Sequence, residues 1–190
     1  FREAAELLER VLPHVSDPRE RALLLCRIGR LRWYNGEPAA AEQLLVEGVA
    51  QLDELGLTLE AARARIHLGR SQWELDQGDA AMKQFERARE ALEPEGPSAE
   101  LALAHLRIAG IHAFQLEYAQ CHAAAERAVE IAEQASADFE RLWALSFVAV
   151  GHYGTAREFT LLDQCFHEAL AKGYAIIATN TLYNEMWDRE

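Results

Sequence analysis

The chain has 190 residues, half of them hydrophobic and 26% charged, with a formal net charge of −12. That hydrophobic share excludes a disordered chain, and the surplus of acid excludes a surface built to neutralise phosphates, so no direct nucleic-acid partner is expected. No apolar run approaches the roughly 20 residues of a membrane span, and Phe1-Arg-Glu-Ala-Ala-Glu lacks the apolar core of a secretory signal. Three widely spaced cysteines (Cys26, Cys121, Cys165) make no disulfide framework, which points to a reducing cytoplasm.

Ala and Leu supply 34 and 26 residues, against 19 for Val, Ile and Thr together. Ala and Leu lose little freedom in a helix, whereas β-branched chains are stiffer there, so the chain should be helical. Taken in chain order, apolar spacing predicts helices near 2–12, 19–35, 38–55, 58–76, 79–93, 97–115, 118–135, 138–155, 159–172 and 174–187. The first helical pair shows the logic. Leu24, Ile28, Leu31 and Trp33-Tyr34 follow one face, and Ala41, Leu44, Leu45, Gly48, Val49 and Leu52 follow another. Asn35-Gly36-Glu37-Pro38 separates the two, and Gln77-Gly78-Asp79 does so in the next pair, with glycine closing one helix and proline opening the other. All five prolines (Pro13, Pro18, Pro38, Pro94, Pro97) fall at these boundaries.

The pattern recurs every 40 residues. Ile28-Gly29 returns as Leu68-Gly69, then as Ile108-Ala109 and Val148-Ala149; Trp33 returns as Trp73, Ala113 and Tyr153. Ala41 returns as Ala81 and Cys121, Leu45 as Phe85 and Ala125, and Gly48 as Ala88 and Ala128. In the fourth copy a one-residue shift brings Phe166 and Ala169 into register, so a small insertion is expected there. Small residues returning at a fixed interval are the signature of stacked hairpins, none of which buries its apolar faces alone. Gly29 and Gly69 should face Ala41 and Ala81, and Gly48 and Ala88 should let the next hairpin stack.

Ile28-Gly29, Ala41, Leu45, Gly48 and Leu68-Gly69, Ala81, Phe85, Ala88 resemble the tetratricopeptide repeat. Gly29-x-x-x-Trp33-x-x-Gly36 is similar to the longer repeats of bacterial MalT/LuxR-type and AfsR-type ATP-dependent regulators and of NTPase-linked class III cyclases. The resemblance implies an all-α, right-handed solenoid of antiparallel hairpins forming one repeat domain over 1–190. Its parts would be the second helix of a partial repeat (1–17), repeats at 18–57, 58–97 and 98–137, a degenerate repeat at 138–172, and the first helix of a further repeat at 173–190. Both ends then look cut from a longer chain. The last helix, with Tyr174, Ile176, Ile177, Leu182, Tyr183 and Trp187, should be the least stable element or be covered by another chain.

Catalytic and metal chemistry find little support. His105 and His112 lie seven residues apart and Cys121-His122 follow, which is not the spacing of zinc ligands, so no metal and no cofactor are expected. The cysteines read as small core residues. The isolated glycines form no phosphate-cradling loop, and the chain should not be an enzyme. What remains is the concave face lined by the first helix of each pair. Its candidate residues are Arg30, Trp33, Tyr34, Arg70, Trp73, Phe114, Trp143 and Tyr153. Arg30 and Arg70 are equivalent, each three residues before a tryptophan, and guanidinium both forks to carboxylates and stacks on rings. The competing expectation makes Trp33 and Trp73 inter-repeat core and the arginines structural bridges to acids.

The function expected from this surface is binding: a scaffold or sensor segment of a larger bacterial signalling or transcription-regulatory protein. Its partner would be a protein or peptide, acidic or carboxylate-bearing. The alternative is an array that packs on an NTPase or cyclase output domain of its parent chain, with no free ligand. A small helical enzyme is the third, least supported reading.

Overall fold

Two of the helices start at a side-chain cap. The Asp17 carboxylate accepts the Glu20 N–H at 2.8 Å, with Pro18 in the first turn, and the Ser98 hydroxyl accepts the Leu101 N–H at 3.2 Å. The structure, a computed structural model, describes residues 1–153 and 156–187, and side chains at 1–153 and 159–182. The helices are α1 (Arg2–Val11), α2 (Pro18–Tyr34), α3 (Pro38–Glu54), α4 (Thr58–Glu74), α5 (Gly78–Leu92), α6 (Ala99–Phe114), α7 (Tyr118–Gln134), α8 (Asp138–Val150), α9 (Ala156–Ala171) and α10 (Ala175–Trp187). The fold is all-α, stacked antiparallel helical hairpins, with no strand among the described residues.

The repeat is written into the backbone as well as the side chains. Left-handed residues close the first helices at Gly36, Asp76 and Leu116 (φ 76°, 59° and 60°) and the second connections at Gly56, Gly96 and Ser136 (φ 69°, 87° and 54°). Both series step by the 40-residue period. In the first series, the N–H of the following residue donates back to the last turn of the helix: Glu37 to Arg32 O (3.0 Å), Gln77 to Gln72 O (2.9 Å) and Glu117 to His112 O (2.9 Å). Gly78 is therefore not the residue that closes α4, as its glycine suggested. Asp76 takes the positive φ, and Gly78 opens α5 where Pro38 opens α3.

Leu116 is the costly member of this series. A left-handed conformation costs a β-carbon residue about 1–2 kcal/mol, and Leu116 is 69% exposed, so no burial offsets it. Leu116→Gly is expected to raise the melting temperature by about 2–4 °C in scanning calorimetry. A lower melting temperature would contradict strain at this turn.

The chain divides into two compact units, residues 1–95 and 96–190, where the sequence suggested one repeat domain. The connection there differs in kind. The helices from α2 to α5, from α6 to α8 and from α9 to α10 are joined by three residues each, but α5 leads into a 3-10 turn (Glu93–Glu95), then Gly96 and Pro97 before the Ser98 cap.

In the first unit, α2 pairs with α3 and α4 with α5, while α4 also packs on α3 and beside α2. Ala22, Ala41, Leu45, Val49, Leu52, Ala61, Ala64 and Leu68 form its core. Glycines set the helix separations. A β-carbon on Gly29 would lie 2.7 Å from Leu45 Cγ and 3.2 Å from the Ala41 carbonyl. On Gly48 it would lie 2.5 Å from Cys26 Sγ and 3.1 Å from the Ala22 carbonyl, so Gly48 lets α2 and α3 of its own hairpin close. Gly69 faces the Phe85 ring, at 2.6 Å from Cε1, more closely than Ala81.

In the second unit, α6 pairs with α7, α8 packs on both, and α9 and α10 complete the stack against α8. Leu106, Ala128, Leu142, Trp143, Ala144, Ala169, Ile177 and Ala178 form a core cluster. Leu162 and Ala169 are fully buried, each 41 residues after buried Cys121 and Ala128, in keeping with a one-residue insertion. Phe166 is half-buried, and Cys165 is the buried residue beside it. On α10, Ile177, Ala178 and Thr181 are buried, so Ile177 is not exposed; Ile176 and Leu182 are. The Tyr183 and Trp187 side chains lie outside the described residues.

Candidate partner-binding face

Charge is sorted by layer in the first unit. The first helices of its hairpins, α2 and α4, carry eight arginines against three glutamates, a surplus of five positive charges. The second helices, α3 and α5, carry seven acids against three basic residues. A chain of net charge −12 thus concentrates arginines in one layer.

Most of these arginines are committed to the fold. Arg32 is held by Glu9 (2.6 and 2.9 Å) and Glu37 (2.7 Å), contacts that keep its guanidinium charged well above the ordinary range. Buried Arg65 pairs with Asp53 at 2.5 Å, Arg19 with Glu60 at 3.2 Å and Arg21 with Glu47 at 3.4 Å. Arg27 and Arg30 differ. They are exposed, one turn apart on α2 between exposed Leu23 and Tyr34, and form no ion pair among the described residues. Arg27 was not singled out in the sequence, although it lies three residues before Arg30 and so shares its face.

The two equivalent arginines have diverged. Arg70 pairs with Glu74 one turn further on (Nε 3.1 Å, Nη2 3.0 Å), and its guanidinium lies 5.8 Å from the centre of the Trp33 ring. Trp33 is half-buried at the edge of the core and donates its indole N–H to Glu74 at 3.0 Å. Tyr34 is exposed, 4.9 Å from the Trp33 ring and stacked on Phe1 at 5.0 Å. Trp73 is half-buried with its ring against Gly78. Trp33 and Arg70 therefore hold parts of both expectations, packing on neighbours while still open to solvent.

In the second unit, Trp143 is not a surface residue. It is 8% exposed, with the Arg107 guanidinium 4.5 Å from its ring centre and Phe139 edge-on at 5.7 Å. Phe139 in turn meets Tyr174 of the α9–α10 turn at 5.2 Å. These large neighbours cover Trp143 and make it core. Phe114 is exposed at the end of α6, and Tyr153 stacks flat on Tyr118 at 4.8 Å.

The remaining candidate chemistry is structural. Burial pushes the Cys26 and Cys121 thiols up to about 12 and Cys165 to about 11, far from thiolate reactivity. His112 meets Glu117 at 2.6 Å, and His122 lies 4.5 Å from His152 between ring centres. Among the described residues no three His, Cys, Asp or Glu side chains group as a metal ion requires, and no helix is long and apolar enough to cross a membrane.

Solved structures share this arrangement of hairpins. The chain superposes on BtubC (BKLC) from P. vanneervenii with a TM-score of 0.74 at 16% identity, covering 92% of this chain and 74% of that one. It also superposes on a Signal Transduction ATPase with Numerous Domains (STAND) protein with a tetratricopeptide repeat sensor, from Pyrococcus horikoshii. There the TM-score is 0.78 at 15% identity, over 95% of this chain and 28% of that one. The fold is a tetratricopeptide-like helical repeat. At these identities the likeness is one of fold. No family model matches the sequence, and neither does any curated protein.

Proposed function

We propose that this chain is a non-catalytic binding segment whose α2/α4 face receives an acidic, carboxylate-bearing protein or peptide. The observation that carries the reading is Arg27 and Arg30, exposed one turn apart on α2 and unpaired among the described residues, in a layer whose other arginines are largely paired within the chain. Guanidinium groups beside exposed aromatics suit a partner that offers both carboxylates and apolar contact. The net charge of −12 opposes such a partner at long range, but salt screens it beyond roughly 8 Å, so the local face governs contact.

The repeat sensor in the STAND protein, and the resemblance of Gly29-x-x-x-Trp33-x-x-Gly36 to bacterial regulator repeats, support a sensor segment within a larger cytoplasmic signalling or transcription-regulatory protein. Exposed Leu170, Ile176 and Leu182 on α9 and α10 favour a second reading, in which the array packs on an NTPase or cyclase domain of its own parent chain.

Arg30→Glu with Arg70→Glu tests the first reading. Fluorescence anisotropy with a labelled oligoglutamate peptide should show binding weakened at least about tenfold. Thermal melts should stay within about 2 °C of wild type, because an exposed pair such as Arg70–Glu74 contributes roughly 0–1 kcal/mol. Unchanged binding, or loss of the fold, would overturn the assignment of these arginines to a partner.

A further inference from the structure

Glu74 stands 40 residues from both Tyr34 and Phe114, so at this point of the repeat an acid replaces an aromatic ring. Its two oxygens receive donors from two helices. Oε2 accepts the Trp33 indole N–H of α2 at 3.0 Å, and Oε1 accepts Arg70 Nε of α4 at 3.1 Å. The Arg70 guanidinium also lies over the Trp33 ring at 5.8 Å, so donor and aromatic face are fixed relative to each other. A carboxylate held between an indole N–H and a guanidinium is the contact that this face would make with a partner's carboxylate. The side chains of Arg70 and Glu74 are about one-third exposed (33% and 31%), and an i,i+4 pair so exposed adds little to stability.

We propose that Trp33 Nε1 and Arg70 form a carboxylate subsite and that Glu74 is its built-in occupant, displaced when a carboxylate-bearing peptide binds. This rests on the reading of the α2/α4 face given above. Arg27 and Arg30, which are unpaired among the described residues, meet the acidic peptide first, and one of its carboxylates then exchanges with Glu74. The exchange conserves the hydrogen bonds: the indole N–H and the guanidinium pass from one carboxylate to another, and Glu74 is released to water. Glu74 thereby sets selectivity. A ligand that binds only through general attraction to arginines gains nothing from the subsite, whereas one that places a carboxylate there gains both donors.

The experiment measures binding of a labelled oligoglutamate peptide to the wild-type chain, Glu74→Ala, Glu60→Ala and the double variant Trp33→Phe/Glu74→Ala. Glu60 also lies on α4 and pairs with Arg19, so its removal reports the effect of deleting one negative charge without opening the subsite. Glu74→Ala should bind about five- to tenfold more tightly than wild type, and Glu60→Ala less than about twofold more tightly. Trp33→Phe/Glu74→Ala, which keeps a ring but removes the N–H, should lose most of that gain. The proposal is overturned if Glu74→Ala binds no better than Glu60→Ala, or if the gain survives Trp33→Phe. An equal gain toward oligothymidylate would overturn it too, since the subsite would then not select carboxylate. If neither wild type nor Glu74→Ala binds the peptide, the reading of the face falls with it. If wild type binds and Arg30→Glu/Arg70→Glu does not, but Glu74→Ala shows no gain, the face stands and the subsite alone falls.

Discussion

Gly69→Leu is expected to lower the melting temperature by about 5–10 °C, while Glu90→Leu on exposed α5 surface leaves it within about 2 °C of wild type. A β-carbon at Gly69 would sit 2.6 and 2.9 Å from two atoms of the Phe85 ring, closer than real β-carbons come, and 3.0 Å from a third. The Phe85 ring is 1% exposed and cannot swing into solvent. Leucine would therefore have to separate α4 from α5, at a cost of roughly 1–3 kcal/mol or more. Gly48→Ala makes the same point with one methyl group. Its β-carbon would meet backbone of α2, the Ala22 carbonyl and the Cys26 N, both at 3.1 Å. Backbone cannot rotate away, so the roughly 1 kcal/mol that alanine gains in helix propensity should be outweighed. Equal melting temperatures for Gly69→Leu and Glu90→Leu would show that α4 and α5 do not meet where the structure places them.

The legible part of this fold is what depends on local spacing. Helix existence follows from apolar periodicity, and the 40-residue interval recovers the hairpins because each small residue must return wherever two helices touch. Positions within a turn are less legible, since glycine is only one way to reach a left-handed backbone. Asp76 aligns with Gly36, and Gly78 aligns with Pro38, so the period itself identifies the closing residue when followed strictly. The site is legible to a similar depth. Arg70 and Glu74 are one turn apart on one helix and can be paired by inspection. The Trp33–Glu74 contact spans 41 residues and depends on how α2 sits beside α4, which spacing along a single helix does not specify.

Trp143→Ala should destabilise the second unit by about 3–5 kcal/mol, whereas Trp33→Ala in the first unit should cost about 1 kcal/mol. Both tryptophans belong to first helices of their hairpins, and the sequence assigned both to one binding surface. Trp143 lies 40 residues beyond Leu103 and 120 beyond Leu23, a row that is 37% exposed at Leu23, so its register alone points outward. Size overrides register here. Phe139 presses an edge on the indole at 5.7 Å, Tyr174 backs Phe139 at 5.2 Å, and Arg107 lays its guanidinium over the indole ring at 4.5 Å. Removing the indole would leave a cavity in the cluster that joins α8 to α10 and strip Arg107 of a partner that, in so buried a setting, contributes up to about 2 kcal/mol. Trp33 instead loses one solvent-accessible hydrogen bond to Glu74 and part of a rim contact. Urea denaturation of the two variants separates the cases, and the oligoglutamate peptide adds an orthogonal readout. Trp33→Ala should fold and lose binding, and Trp143→Ala should lose stability first. Comparable midpoints for the two variants would show that Trp143 is not part of the core of the second unit.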